Sequence, residues 1–86
     1  MYVILDDIRA ADHKRFKKVI WSNLSIHEVA DICAKAMYEL RGMQGSSAAF
    51  ARYLCRYEGI QPVDPVLYDF IYEGEFKGEK VESLDL

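Results

Sequence analysis

The run SIHEVADICAKAMYELRG, residues 25–42, carries the clearest structural signal in the chain. Ser25 and Glu28 form a capping-box pattern, in which the serine hydroxyl accepts a first-turn N–H and the glutamate reaches back. Arg41 suits the negative end of a helix dipole, and Gly42 stands where a left-handed C-cap residue belongs. Apolar residues recur between them at helical spacing: Ile26, Val29, Cys33, Met37 and Leu40. We therefore predict an amphipathic helix over residues 26–41.

The residues after this helix predict a second one packed against it. Ser46 or Ser47 can cap the new helix after a short turn at 43–45, and Gly59 can end it. Its apolar stripe comprises Phe50, Leu54 and Tyr57. Because the connection is short, we expect the two helices to form an antiparallel hairpin.

A third helix is the favoured interpretation of residues 64–72. Residues 60–63 form a loop held by Pro62, and Asp64-Pro65 then supplies an N-cap followed by proline at the first helical position. A strand is the alternative, because Val66 to Tyr72 is rich in β-branched and aromatic residues. We favour the helix and expect Gly74 to close it.

The two ends of the chain complete the predicted fold. Residues 2–5 are apolar and β-branched and predict a short strand, whereas residues 8–21 show a helical apolar stripe opposite Lys14, Lys17 and Lys18. The acidic tail, residues 75–86, either pairs with the N-terminal strand or stays mobile. The expected fold is a single, mainly α domain over 1–86. It has three to four helices and a short β-pair that the N- and C-terminal segments can form.

Length and composition exclude several classes of protein. With 86 residues and 51% hydrophobic side chains, the chain is one globular domain and not a disordered one. It shows no signal peptide and no apolar run of about 20 residues, so we expect a cytoplasmic protein without membrane contact. Cys33 and Cys55 are then expected to be reduced thiols.

Catalysis and cofactor binding have little support in the sequence. The four residues that could bind zinc, His13, His27, Cys33 and Cys55, lack the close pairing typical of structural zinc sites. No glycine-rich phosphate loop and no nucleophile motif is present. We expect a non-enzymatic protein without a cofactor.

Charge is distributed unevenly along the chain. Residues 9–56 carry nine Lys/Arg and four Asp/Glu, whereas residues 57–86 carry eight Asp/Glu and two lysines. The acidic third also holds several aromatics, and this mixture suits a basic protein partner, because charge steers encounter and aromatics anchor the contact. The predicted partner-binding residues are Tyr68, Tyr72, Glu73, Glu75, Phe76 and Glu79.

These features predict a regulator or inhibitor that acts by occluding a basic surface of its partner. Short, acidic, self-contained chains are common among accessory proteins of phages and mobile elements, and we expect this chain to belong with them. The first alternative is a nucleic-acid-binding transcriptional regulator with a basic helix face. That face would comprise Lys14, Arg15, Lys17, Lys18, Arg52 and Arg56. The second alternative is a structural or assembly subunit, which predicts a fixed oligomer. A homodimer is a further expectation, because eleven aromatic residues are generous for so small a core and some should lie at the surface.

Overall fold

The structure is a computed structural model that describes residues 1–6, 18–40 and 47–86. In the first half of the chain it contains strand β1 (Tyr2–Asp6), strand β2 (Lys18–Ser22) and helix α1 (Ile26–Glu39). The second half contains helix α2, strand β3, a 3-10 turn, helix α3 and strand β4. Their bounds are Ser47–Leu54, Ile60–Pro62, Pro65–Leu67, Tyr68–Tyr72 and Val81–Asp85.

A four-stranded sheet organises the fold. Its strand order is β3-β2-β1-β4, with β1 antiparallel to β2, β2 antiparallel to β3 and β1 parallel to β4. Of the two alternatives for the tail, pairing with the N-terminal strand is the one present, but this pair is one edge of the larger sheet. The prediction of a mainly α domain is therefore wrong, and the fold is a small mixed α/β domain.

The error has a physical cause in the two central strands, which are covered on both faces. Val3 and Leu5 pack on one side of the sheet and Tyr2 and Ile4 on the other, and all four are buried. Strand β2 divides its residues in the same way. A short apolar run buried on both faces cannot be distinguished from a buried helix by periodicity. The predicted helix over 8–21 is wrong at residues 18–21, which belong to β2, and its residues 8–17 lie outside the described part.

Helices α1 and α2 form the layer on one face of the sheet. Val29, Cys33 and Ala36 of α1 and Leu54 of α2 are buried against the sheet. The predicted serine cap is confirmed, since the Ser25 hydroxyl accepts the N–H of Glu28 at 3.2 Å. That hydroxyl also donates to the Glu28 carboxylate at 3.2 Å. Residue Leu40 caps the C-terminus of α1. The predicted roles of Arg41 and Gly42 fall outside the described residues.

The opposite face of the sheet is covered by residues 63–79, which we call the second layer. Asp64 accepts the Val66 N–H at 3.0 Å, so the predicted cap is confirmed. The segment then continues as the 3-10 turn and α3, which confirms helix over strand for this part of the chain. Ile71 of α3 is fully buried against Ile4 and Val19 of the sheet. The second layer is therefore packed onto the sheet through a core of its own.

Strand β3 corrects another prediction, because residues 60–62 pair with β2 and do not form a loop. Pro62 is tolerated there because β3 lies at the edge of the sheet, where a missing N–H breaks no interior ladder bond. Gly59 precedes this strand with a φ of 91°, and its carbonyl accepts the Asn23 N–H at 3.0 Å. A Cβ at this position would meet the Asn23 side chain. Among the helices that the structure describes, none is both long and apolar enough to cross a membrane.

Candidate functional site

A row of three side chains crosses the sheet beneath the second layer. The strand register places Tyr2 opposite Trp21, and Trp21 opposite Gln61. Residues paired across neighbouring strands point to the same face, so the three side chains lie side by side on the face that carries residues 63–79. Tyr2 is buried, Trp21 is half-buried and Gln61 is exposed. The row therefore becomes more open toward the β3 edge.

This row forms the floor of a depression of about 370 Å³, which we call the Trp21 pocket. Pro62, Val63, Asp64 and Leu67 form its wall, where the chain leaves β3 and enters the 3-10 turn. The volume is at the small end of ligand pockets, which span about 300–1,000 Å³. Among the described lining residues Asp64 carries the one carboxylate, and Pro62, Val63 and Leu67 make the rest of the wall apolar.

The outer surface of the second layer carries an apolar stripe formed by Val66, Phe70 and Phe76. Val66 is 75% exposed and Phe70 is 58% exposed. The Phe70 ring stacks on the Phe76 ring with centroids 6.4 Å apart. The rings of Phe76 and Tyr2 make a T-shaped contact with centroids 5.6 Å apart. The stripe is thus anchored at one end on the sheet and open to solvent at the other. Large apolar side chains in such a position are typical of interaction surfaces.

Exposed carboxylates flank the apolar stripe. Asp69 and Glu73 are exposed and lie on the same helical face as Val66 and Phe70 by their three- and four-residue spacing. Glu75 is exposed in the turn that follows. The ammonium of Lys77 lies 5.1 Å from the centroid of the Phe76 ring, where it makes a cation–π contact. The surface is therefore acidic around an aromatic centre, with one basic side chain at its end.

The six predicted partner-binding residues have different environments. Glu73 and Glu75 are exposed, whereas Tyr68, Tyr72 and Phe76 are half-buried. The tilted rings of Tyr68 and Tyr72 lie 6.0 Å apart. Burial raises the pKa of Tyr72, and the nearby Tyr68, Asp69 and Asp6 raise it further.

Glu79 makes contacts within the fold, which its place in the acidic tail did not indicate. Its Oε1 accepts the indole N–H of Trp21 at 2.8 Å, and the Met1 amino group lies 3.6 Å from the same oxygen. The Met1 amino group also donates to the Ser22 carbonyl at 2.8 Å. Glu79 therefore fastens the end of the second layer to strands β1 and β2. It is half-buried and bonded within the fold, whereas Glu73 and Glu75 are exposed.

Sequence reasoning missed two members of the exposed surface and the pocket beside it. Val66 and Phe70 were not among the predicted binding residues, although their i,i+4 spacing opposite Leu67 and Ile71 was a readable signal. Trp21 was assigned to a helix, and its place on the pocket floor depends on strand register. No local pattern in the sequence shows that register.

Three of the six basic residues of the nucleic-acid alternative fall within the described part of the chain. Lys14, Arg15 and Lys17 lie outside that part, and Lys18 is half-buried at the start of β2. Arg52 and Arg56 are exposed in and just after α2, on the opposite face of the sheet from the second layer. Arg56 lies 6.0 Å from the ring centroid of Tyr53.

The two thiols are in the apolar core under the helical layer. Cys33 is buried and Cys55 half-buried, and neither is in a disulfide. Burial raises the pKa of Cys33 from 9.0 to about 11 and also raises the pKa of Cys55. Both shifts oppose thiolate formation, which a nucleophilic cysteine needs. Among the described residues, no three His, Cys, Asp or Glu side chains are grouped as metal ligands.

Comparison with known proteins identifies no relative for this chain. No protein-family model matches it, and neither a curated protein nor a solved structure does.

Proposed function

We propose that this protein is a non-enzymatic protein-binding regulator or inhibitor that uses the second layer to cover a basic surface of its partner. The observation that carries the proposal is the exposed apolar stripe, which shares its segment of chain with the exposed carboxylates of Asp69, Glu73 and Glu75. Val66 and Phe70 expose 75% and 58% of their surfaces, and among the described residues Tyr38 of α1 is the one other large hydrophobic residue that is exposed.

In this proposal the apolar side chains and the carboxylates have different roles in binding. Phe70 and Val66 supply apolar area that is removed from water on binding, which favours association by about 25 cal/mol per Å² before the costs of binding are subtracted. Asp69, Glu73 and Glu75 favour a positively charged approach and exclude acidic surfaces. The partner surface is therefore basic with an apolar centre.

Occlusion is the mechanism that such a surface supports. The second layer rests on the sheet through the buried Ile71 and the Trp21–Glu79 hydrogen bond, so the stripe is presented by a packed support. A preorganised surface loses little conformational entropy on binding. The protein would block its partner by covering the site, without any chemical step. An origin in a phage or mobile element stays part of the proposal.

The test is affinity capture from a lysate of the source organism after nuclease treatment, followed by mass spectrometry. Wild-type protein is compared with Phe70→Ala and with Tyr38→Ala, a matched control on α1 where Tyr38 is 68% exposed. A second pair compares Glu73→Gln with Asp31→Asn, which removes the same charge from an exposed position of α1.

We expect one protein with a basic surface to be captured by wild type and by both controls, and to be lost with Phe70→Ala. Glu73→Gln should weaken its retention, most clearly at low salt where charge attraction is least screened. If a protein is captured from untreated lysate but not after nuclease treatment, the proposal is contradicted and nucleic-acid binding is favoured. Recovery of the bait alone in a fixed oligomer would contradict it in favour of the assembly subunit.

A further inference from the structure

We infer that the Trp21 pocket is a binding site for a single arginine side chain, supplied by the basic partner. This inference rests on the proposed function for the source of the arginine, but the chemistry of the pocket can be tested without that partner. The site comprises the Tyr2–Trp21–Gln61 row as a floor and residues 62–67 as a wall.

The walls suit the long stem of a basic side chain. Pro62, Val63 and Leu67 present apolar surface along one side of the depression. Arginine and lysine bury their methylene stems on such surface while the charged head stays hydrated. The volume of about 370 Å³ and the open mouth suit one long side chain of a partner better than an enclosed small molecule.

The floor suits a planar cation. Trp21 is the ring type that attracts cations most strongly through its face, and it is half-buried, so part of the indole is accessible. Its N–H is already donated to Glu79 at 2.8 Å, which fixes the orientation of the ring. A guanidinium can stack flat on an indole, whereas a lysine ammonium acts as a compact, strongly hydrated charge. The geometry therefore favours arginine over lysine.

Asp64 supplies the charge at the rim. One carboxylate oxygen, Oδ1, accepts the Val66 N–H at 3.0 Å, and this bond holds the carboxylate in a defined position beside the pocket. Asp64 is exposed, so its charge faces solvent at the mouth. The amide oxygen of Gln61, which is exposed at the β3 end of the floor, adds a further acceptor. A guanidinium on Trp21 would then meet a carboxylate and an amide oxygen, both of which match its donors.

The experiment uses the intact chain and its single tryptophan as the reporter. The probes are acetyl-glycyl-arginyl-glycine amide, the same peptide with citrulline, which is neutral and nearly isosteric, and the same peptide with lysine. Binding is followed by Trp21 fluorescence and by the NMR shift of its indole N–H. We expect saturable binding of the arginine peptide, roughly fivefold to tenfold tighter than the citrulline peptide. The lysine peptide should fall between them.

Asp64→Asn is the decisive variant, because asparagine caps a helix as well as aspartate does while removing the charge. It should bring the affinity for the arginine peptide to within about twofold of that for citrulline. Asp31→Asn, which removes a charge from an exposed position of α1 on the opposite face of the sheet, should leave the preference unchanged. Equal binding of arginine and citrulline peptides by wild type would overturn the inference. So would the absence of any Trp21 response, or an unchanged preference in Asp64→Asn.

These outcomes are separable from those of the proposed function. If the peptide assay shows arginine selectivity but Phe70→Ala still captures the partner, arginine binding by the Trp21 pocket is supported. The role of the apolar stripe in partner binding is then contradicted. Loss of capture with Phe70→Ala but no arginine selectivity would leave the proposed function and remove the pocket.

Discussion

Replacement of Ile71 by alanine tests whether the second layer is packed onto the sheet. Ile71 is fully buried, and it contacts the sheet residues Tyr2, Ile4 and Val19 in the core beneath this layer. The substitution removes three methyl or methylene groups, worth about 0.8 kcal/mol each. The unfilled cavity adds to this loss, and the better helix propensity of alanine offsets a few tenths of a kcal/mol. We expect a loss of about 3 kcal/mol.

That loss is large for a domain of this size. A chain of 86 residues has a free energy of unfolding of roughly 4–13 kcal/mol at the usual 0.05–0.15 kcal/mol per residue. A loss of about 3 kcal/mol should lower the Tm by about 12–24 °C. Urea unfolding should be followed both by Trp21 fluorescence, which reports on the second layer, and by far-UV circular dichroism, which reports on the whole fold.

Two controls make the result specific. Ile71→Val should cost about 0.5–1.5 kcal/mol, and Val66→Ala, at a position 75% exposed, should change stability by no more than about 0.5 kcal/mol. A loss below about 1 kcal/mol for Ile71→Ala, or a loss equal to that of Val66→Ala, would refute the packing of the second layer.

The remaining predictions concern the cap, the thiols and the Trp21–Glu79 bond. Asp64→Ala should lower the free energy of unfolding by about 1 kcal/mol in thermal melts, because alanine has no oxygen to accept the Val66 N–H. Asp64→Asn should change it little, because asparagine keeps a capping acceptor. Since burial raises the pKa of Cys33 from 9.0 to about 11, its contribution to stability is complete below about pH 9 and is lost as the pH rises to about 11. Urea midpoints measured over that interval should therefore fall less steeply in Cys33→Ala than in wild type, and equal slopes would disprove the assignment. A disulfide reagent at neutral pH should label Cys55 before Cys33 in the folded chain, because Cys55 is the more accessible thiol. Glu79→Ala should cost about 1–3 kcal/mol in urea unfolding, since the half-buried Trp21 indole loses its acceptor, and no change would mean that the bond is not formed in solution.

Some elements could be predicted from the sequence because the residues that determine them are close together in the chain. Helix α1 follows from the Ser25–Glu28 capping box and the apolar stripe, and the start of the second layer follows from Asp64-Pro65. Strand β1 also follows from its apolar, β-branched composition. In each case the residues that determine the structure are within a few positions of one another.

The elements that depend on tertiary contacts could not be predicted in this way. Strand β2 is apolar on both faces, and the same run of residues also satisfies a helical stripe, so only the neighbouring strands decide between them. Strand β3 has three residues and contains Pro62, which made a loop the natural interpretation. These two errors together turned a mixed α/β fold into a mainly α prediction.

The candidate site shows the same limit. The acidic and aromatic character of residues 64–79 was readable from composition, and it led to the proposed surface. The distinction between Glu73, which is exposed, and Glu79, which binds Trp21 across 58 residues of chain, required the fold. The Trp21 pocket also required it, because three different strands and the turn after β3 contribute to it.

The most direct test of the central claim is the affinity of the purified chain for its captured partner, measured by calorimetry for wild type, Phe70→Ala and Tyr38→Ala. We predict that Phe70→Ala weakens binding by about tenfold or more, as expected of an interface anchor, while Tyr38→Ala binds as wild type does. Equal affinities of wild type and Phe70→Ala, or a loss confined to Tyr38→Ala, would contradict the assignment of the second layer as the binding surface.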